Sequence, residues 1–210
     1  MTHESIPEHL LEAEQEETIE TKKNLYRFYN YARTLLPNND MNVMVAAAKT
    51  LGQIVEIGGA AFDDRFMDYH VPAAINLLQA ERQELHRYAG VLTLKELAMH
   101  GSSCFQAHIP LVFEKLLLPL RDSKLYIREA AAGLLDACLM IITQRERNLE
   151  TPFLFRILQD AQAGLKTNSP ETIHGSLLTY RALLLHAGMV SKCNPFAVKI
   201  RLLMVQCPSS

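Results

Sequence analysis

Four times along this 210-residue chain a small side chain is followed four positions later by a large one, and three further on by another apolar residue. The sets are Ala47, Leu51 and Ile54; Gly90, Leu94 and Leu97; Ala131, Leu135 and Cys138; and Ser176, Tyr180 and Leu183. Their starting positions lie 43, 41 and 45 residues apart, inside the ~40–47 residues of two-helix repeat units. Spacings of three and four mark one face of an α-helix. The small residue lets a helix approach its partner closely, and the large one a turn later fills the seam between them. A chain that does this four times is expected to stack helix pairs, each unit burying its apolar face on the next. An unrelated helical bundle is the competing architecture, because its core also uses small-then-large spacing.

The breaks between helices are well marked. Pro37-Asn38-Asn39-Asp40 closes one helix and offers Asp40 as the N-cap of the next; Gly58-Gly59 ends that one, and Asp63 or Asp64 can cap a third. Gly101-Ser102-Ser103 follows a fourth. Thr151-Pro152 and Ser169-Pro170-Glu171 are cap-then-proline starts, where the missing N–H of proline costs nothing. The spacing predicts helices near 22–36, 40–57, 64–79, 83–99, 104–118, 124–146, 152–165 and 170–187. Pro72 and Pro110 fall inside two of these, and each either bends its helix or marks the true start. The expected fold is all-α, an α-solenoid of about four HEAT-type antiparallel helix pairs over residues 22–188. An acidic flexible lead-in occupies 1–21, and a divergent, weakly anchored tail occupies 189–210. That tail supplies Phe196, Val198, Ile200, Leu202, Leu203 and Val205 beside a leucine-rich fourth unit, an arrangement expected to give weak capping.

Chemistry is sparse. Lys and Arg number 21 against 23 Asp and Glu, without the basic surplus of a nucleic-acid protein. No apolar run reaches the length of a membrane span. The glutamates crowding the first twenty residues are the reverse of a secretory signal. Cys104, Cys138, Cys193 and Cys207 form no CxxC pair and are expected to be reduced thiols of a cytoplasmic protein. No phosphate-binding glycine loop and no HExxH occur, so no catalytic, cofactor-binding or metal-ligating residue is assigned. The pair His86 and His100, and His70 beside Asp64 and Asp68, are expected to be solvated helix surface. Cys104 near His100 and His108 is the one constellation that loosely fits a thiol nucleophile with a base, and it lacks the local signature of any cysteine hydrolase.

Several segments carry a more specific likeness. Arg27-Phe28-Tyr29-Asn30-Tyr31-Ala32-Arg33-Thr34-Leu35-Leu36-Pro37-Asn38-Asn39-Asp40 resembles the start of a HEAT unit near the N-terminus of the target-of-rapamycin (TOR) kinases. Met44 to Gly52, Arg87 to Ala98 and Ile127-Arg128-Glu129-Ala130-Ala131 continue the resemblance. Ala137-Cys138-Leu139 with Thr143-Gln144-Arg145-Glu146, then Ile173-His174-Gly175-Ser176-Leu177-Leu178, follow in order. The likeness runs from about residue 24 to 188, while the acidic opening and the stretch from Lys192 depart from the family. The family's kinase motifs have no counterpart in these 210 residues, so none is carried over, and the chain reads as a fragment, a truncated product or a gene model that stops early.

The resemblance implies a protein-interaction scaffold in nutrient and growth signalling. Its implied partners are an accessory subunit of Raptor or Rictor type, a nearby Rheb-type GTPase and other TOR segments, with neither nucleic-acid binding nor direct membrane insertion. It implies a cytoplasmic location with recruitment to endomembrane surfaces through partners. Two other readings stand beside it: a free-standing helical-repeat adaptor unrelated to TOR, and a small helical enzyme using Cys104 with His100 and His108.

Overall fold

The computed structural model describes residues 8–62, 64–145 and 152–187. Nine α-helices follow one another among them, with no strand: α1 Glu8–Thr34, α2 Met41–Gly58, α3 Asp64–Leu78, α4 Glu84–His100, the single turn α5 Ser102–Phe105, α6 Ile109–Leu120, α7 Leu125–Arg145, α8 Pro152–Gly164 and α9 Pro170–Ala187. Eight of the helices form four pairs, α1 with α2, α3 with α4, α6 with α7, and α8 with α9. Unit stacks on unit mainly through the second helices, in the order α2, α4, α7, α9. The molecule is an all-α solenoid of helical repeats. The tail from Lys192, with Cys193 and Cys207, and the Glu146 of the TQRE run lie outside the described residues, as does Asp63.

Local chemistry sets the helix ends. Asp40 caps α2, its carboxylate accepting from the Asn42 and Val43 amides at 2.8 and 3.4 Å. Gly59 closes the same helix at φ +46°, donating its N–H to the Val55 carbonyl, a left-handed turn that glycine adopts without Cβ strain. Pro170 opens α9, where the Ser169 hydroxyl accepts from the Thr172 amide at 3.2 Å and donates to the Glu171 carboxylate at 3.0 Å. Two helices differ from the expected bounds. α1 begins at Glu8 rather than near residue 22, because the acidic stretch continues the helix. The helix expected at 104–118 is instead broken into α5, a 3₁₀ turn at Gln106–His108, and α6, with Pro110 in the first turn of α6. Pro72 sits inside an unbroken α3.

The seam positions read from the repeat are core. Leu51, Leu94, Leu97, Leu135, Cys138 and Leu183 are all essentially inaccessible. Tyr180 and Ile54 are only half-buried. Both belong to the first and fourth units, which among the described residues have a stacked unit on one side only. Gly90 shows why the small position matters: a Cβ there would press on the Ala74 carbonyl and Leu78 backbone of α3, at 2.6 Å from each. Exposed Leu177 and Leu185 on α9 fit the leucine excess expected of the fourth unit.

Candidate interaction surface

Two arginines tie the units together. Arg87, three positions before Gly90 at the start of α4, donates to the Ala80 and Glu81 carbonyls in the turn between α3 and α4, at 3.2 and 2.7 Å. Its other nitrogens reach into the next unit and grip Asp122 through both carboxylate oxygens, at 2.6 and 3.3 Å. Asp122 side-chain exposure is 5%, so this is a desolvated bidentate pair rather than a surface one. The Asp122 hydrogen bond holds the guanidinium still further above its ordinary value. Asp122 also accepts from the Lys124 amide at 2.9 Å, capping the start of α7.

Arg128 repeats the arrangement one unit later. It donates to the Asp122 and Ser123 carbonyls at 2.6 and 3.1 Å, and to Nδ1 of His174 on α9 at 3.1 Å. Gly175 lies beside that histidine, packed so closely on α6 that a Cβ would collide with the Leu120 carbonyl oxygen. The Ile173-His174-Gly175 run therefore has a physical meaning: it is the joint between the third and fourth units. Arg87 and Arg128 each stand three residues before the small position of their repeat, Gly90 and Ala131, but that spacing does not give their partners. The available signal was an acidic residue in the turn six positions before Arg128.

The first joint uses other materials. Tyr29, fully buried, meets Phe66 edge-on with centroids 4.7 Å apart and His70 at 4.7 Å, and Phe62 stacks against Phe66 at 4.5 Å. His70 is therefore not the solvated surface residue expected from its acidic neighbours. It is 8% exposed, and burial together with the nearby Arg33 lowers its pKa to about 4. Asp68 instead faces His108 at 3.4 Å. On the second-helix side, His100 of α4 lies between Glu56 of α2 at 2.9 Å and Glu96 at 3.4 Å, in space left open by Gly52.

The structure does not bring Cys104, His100 and His108 together as a catalytic set. His100 is engaged by Glu56 and Glu96, His108 faces Asp68, and the Cys104 sulfur contacts the Ser103 hydroxyl at 3.8 Å. The shallow recess beside Cys104 is lined by Ser103, Gln106 and Pro110 among others, with neither histidine. Among the described residues no group of three side chains is placed to hold a metal, and no helix is long and apolar enough to cross a membrane.

Several large apolar and aromatic side chains stand on the surface among the charged ones. Phe28 and Tyr31, 64% and 72% exposed, share one face of α1 three residues apart. Tyr69 on the adjoining α3 and Ile57 at the end of α2 are exposed to a similar degree. Exposed aromatics of this kind are enriched where proteins meet proteins.

No protein-family profile matches the chain. It is similar to the serine/threonine-protein kinase tor1 of Schizosaccharomyces pombe, 38% identical over 165 residues, which is 79% of this chain and 7% of the relative. It is also 35% identical over 171 residues to the serine/threonine-protein kinase TOR of Arabidopsis thaliana, and 33% identical over 175 residues to TOR2 of Saccharomyces cerevisiae, in each case across 80% of this chain. The chain spans about 7% of the length of these curated relatives. With an all-helical repeat fold and this similarity across four-fifths of its residues, the chain belongs, as a helical segment, to the target-of-rapamycin kinase family.

Proposed function

We propose that this segment is a protein-docking scaffold within a TOR-type assembly, engaging an accessory subunit of Raptor or Rictor type, with a Rheb-type GTPase and other TOR segments as further partners. The supporting observation is a division of labour. The conspicuous charged side chains Arg87, Arg128 and Asp122 are spent inside the joints, whereas Phe28, Tyr31 and Tyr69 stand in solvent on neighbouring helices. Aromatic side chains give large contact area at small entropic cost, which suits a docking face. In this reading the segment performs no catalytic step of its own, works in the cytoplasm, and reaches endomembranes through its partners.

The test is capture of purified accessory subunits and GTPase by the full chain and by the double variant Phe28→Ser/Tyr31→Ser. Loss of at least about tenfold in affinity for one partner, with an unchanged melting temperature, is the expected result. Undiminished binding of every partner would remove α1 from the docking face. Saturable ATP binding by calorimetry would overturn the non-catalytic reading.

A further inference from the structure

Arg33 is the exception among the arginines that reach into the joints. Arg87 and Arg128 each spend their donors on carbonyls and a cross-unit partner. Arg33, near the end of α1, keeps its Nε buried without a hydrogen-bond partner, and no carboxylate pairs with it among the described residues. Its side chain borders a recess of roughly 430 Å³ between α1, α3 and α4. His70, Asn76, Thr93 and Thr34 supply the other polar side chains of that recess, the Thr34 hydroxyl donating to the Tyr31 carbonyl, and its walls include no acidic residue. Leu36, Ala74 and Leu77 give it an apolar side. His70 and Thr93 are themselves at least nine-tenths buried, at 8% and 5% exposure, so these are groups built into the fold rather than surface side chains that happen to face one another.

A cation with an unmet donor, flanked by groups that can donate and by none that is anionic, is complementary to an oxyanion. The number of charges narrows the choice. The recess has one guanidinium, and His70 beside it is neutral, so it balances a single negative charge rather than the near-dianion of a phosphomonoester. The apolar side suits a short methylene stem.

We propose that this recess binds the carboxylate of a Glu or Asp side chain presented by a protein partner. The identity of the presenter rests on the docking reading above. The affinity of the recess for a carboxylate does not, and the two can fail separately.

The test follows the Arg33 Nε–H and His70 ring signals of the full chain by NMR. Three probes are titrated: N-acetyl-glutamate methylamide, the uncharged glutamine analogue, and inorganic phosphate. Saturable movement with the glutamate compound, none with the glutamine compound, and weaker binding of phosphate are expected. Arg33→Gln should reduce the glutamate affinity by about tenfold or more. Arg33→Lys keeps the charge without the planar fork; it should bind several-fold more weakly, and it serves as the readout if Arg33→Gln does not fold. The proposal is overturned by any of three results: no saturable shift with the glutamate compound, tighter binding of phosphate than of carboxylate, or unchanged affinity in the folded Arg33 variants. Failure of the aromatic double variant to lose partners would leave these results untouched.

Discussion

The first and last joints of the solenoid solve one packing problem with different chemistry. Where α1 meets α3, the contact is a cluster of rings, Tyr29, Phe62, Phe66 and His70. Where α7 meets α9, it is Arg128 spanning two carbonyls and His174, with Gly175 against the α6 backbone. The ring joint draws its strength from burial, which is nearly indifferent to salt. The arginine joint draws its strength from directed hydrogen bonds, each modest in net worth but costly to leave half-made. A repeat fold therefore fixes where units touch, while each interface remains free to use its own materials.

Breaking the ring joint should have the largest effect. Phe66→Ala removes a buried ring and leaves a cavity, expected to cost about 3–5 kcal/mol in chemical denaturation. Arg128→Ala should cost less, about 2–3 kcal/mol, by exposing the Asp122 and Ser123 carbonyls to loss of their donor. An arginine variant more damaging than the phenylalanine one would reverse the ranking of the two joints. Leu94→Ala and Leu135→Ala, between the two, should each cost about 2–5 kcal/mol if the central units are packed as tightly as the first.

Acidification should sharpen the contrast. His70 has a folded pKa of about 4, below the roughly 6.5 of an unfolded histidine. Well above the unfolded pKa of about 6.5 both states are neutral there and the group does not affect stability. Between about pH 6.5 and 4 the unfolded chain takes up a proton that the folded chain refuses, so stability falls with pH, by at most about 1.4 kcal/mol per unit. His70→Gln should flatten that slope in a series of melts, and an identical slope would mean that other groups dominate the acid response. The smallest effect belongs to Lys124 and Glu84, which pair at 2.9 Å with both side chains over two-fifths exposed. Lys124→Ala should leave the denaturation midpoint essentially unchanged, because solvent screens the pair.

Much of the fold was readable because helix signals are local. The Asp40 cap, the Gly59 terminator and the proline starts act over two to four residues, and the repeat spacing located Leu51, Leu94 and Leu135 in the core. What could not be read is which element faces which. His70 was expected in water because Asp64 and Asp68 lie nearby in sequence, yet α1 lays Tyr29 across it. Tyr180 occupies a seam position in the fourth unit and is only half-buried, since among the described residues that unit has a stacked partner on one side only. The Arg87–Asp122 pair spans 35 residues, and the unmatched Arg33 donor emerges only once α3 and α4 are in place. Helical period tells which face of a helix is dry; it does not name the neighbour.

The unequal stacking of the two helix layers has a mechanical consequence. Because α2, α4, α7 and α9 carry most of the unit-to-unit contact among the described residues, that edge is expected to be the stiffer one, and the edge of α1, α3, α6 and α8 the more compliant. A load on the ends is then absorbed as a change of curvature, like a fan opened about its rivet rather than a rod stretched along its length. The quantity that changes is the width of the clefts between first helices, among them the roughly 290 Å³ groove bounded by Phe113 and Leu117 of α6 and Ile157 of α8.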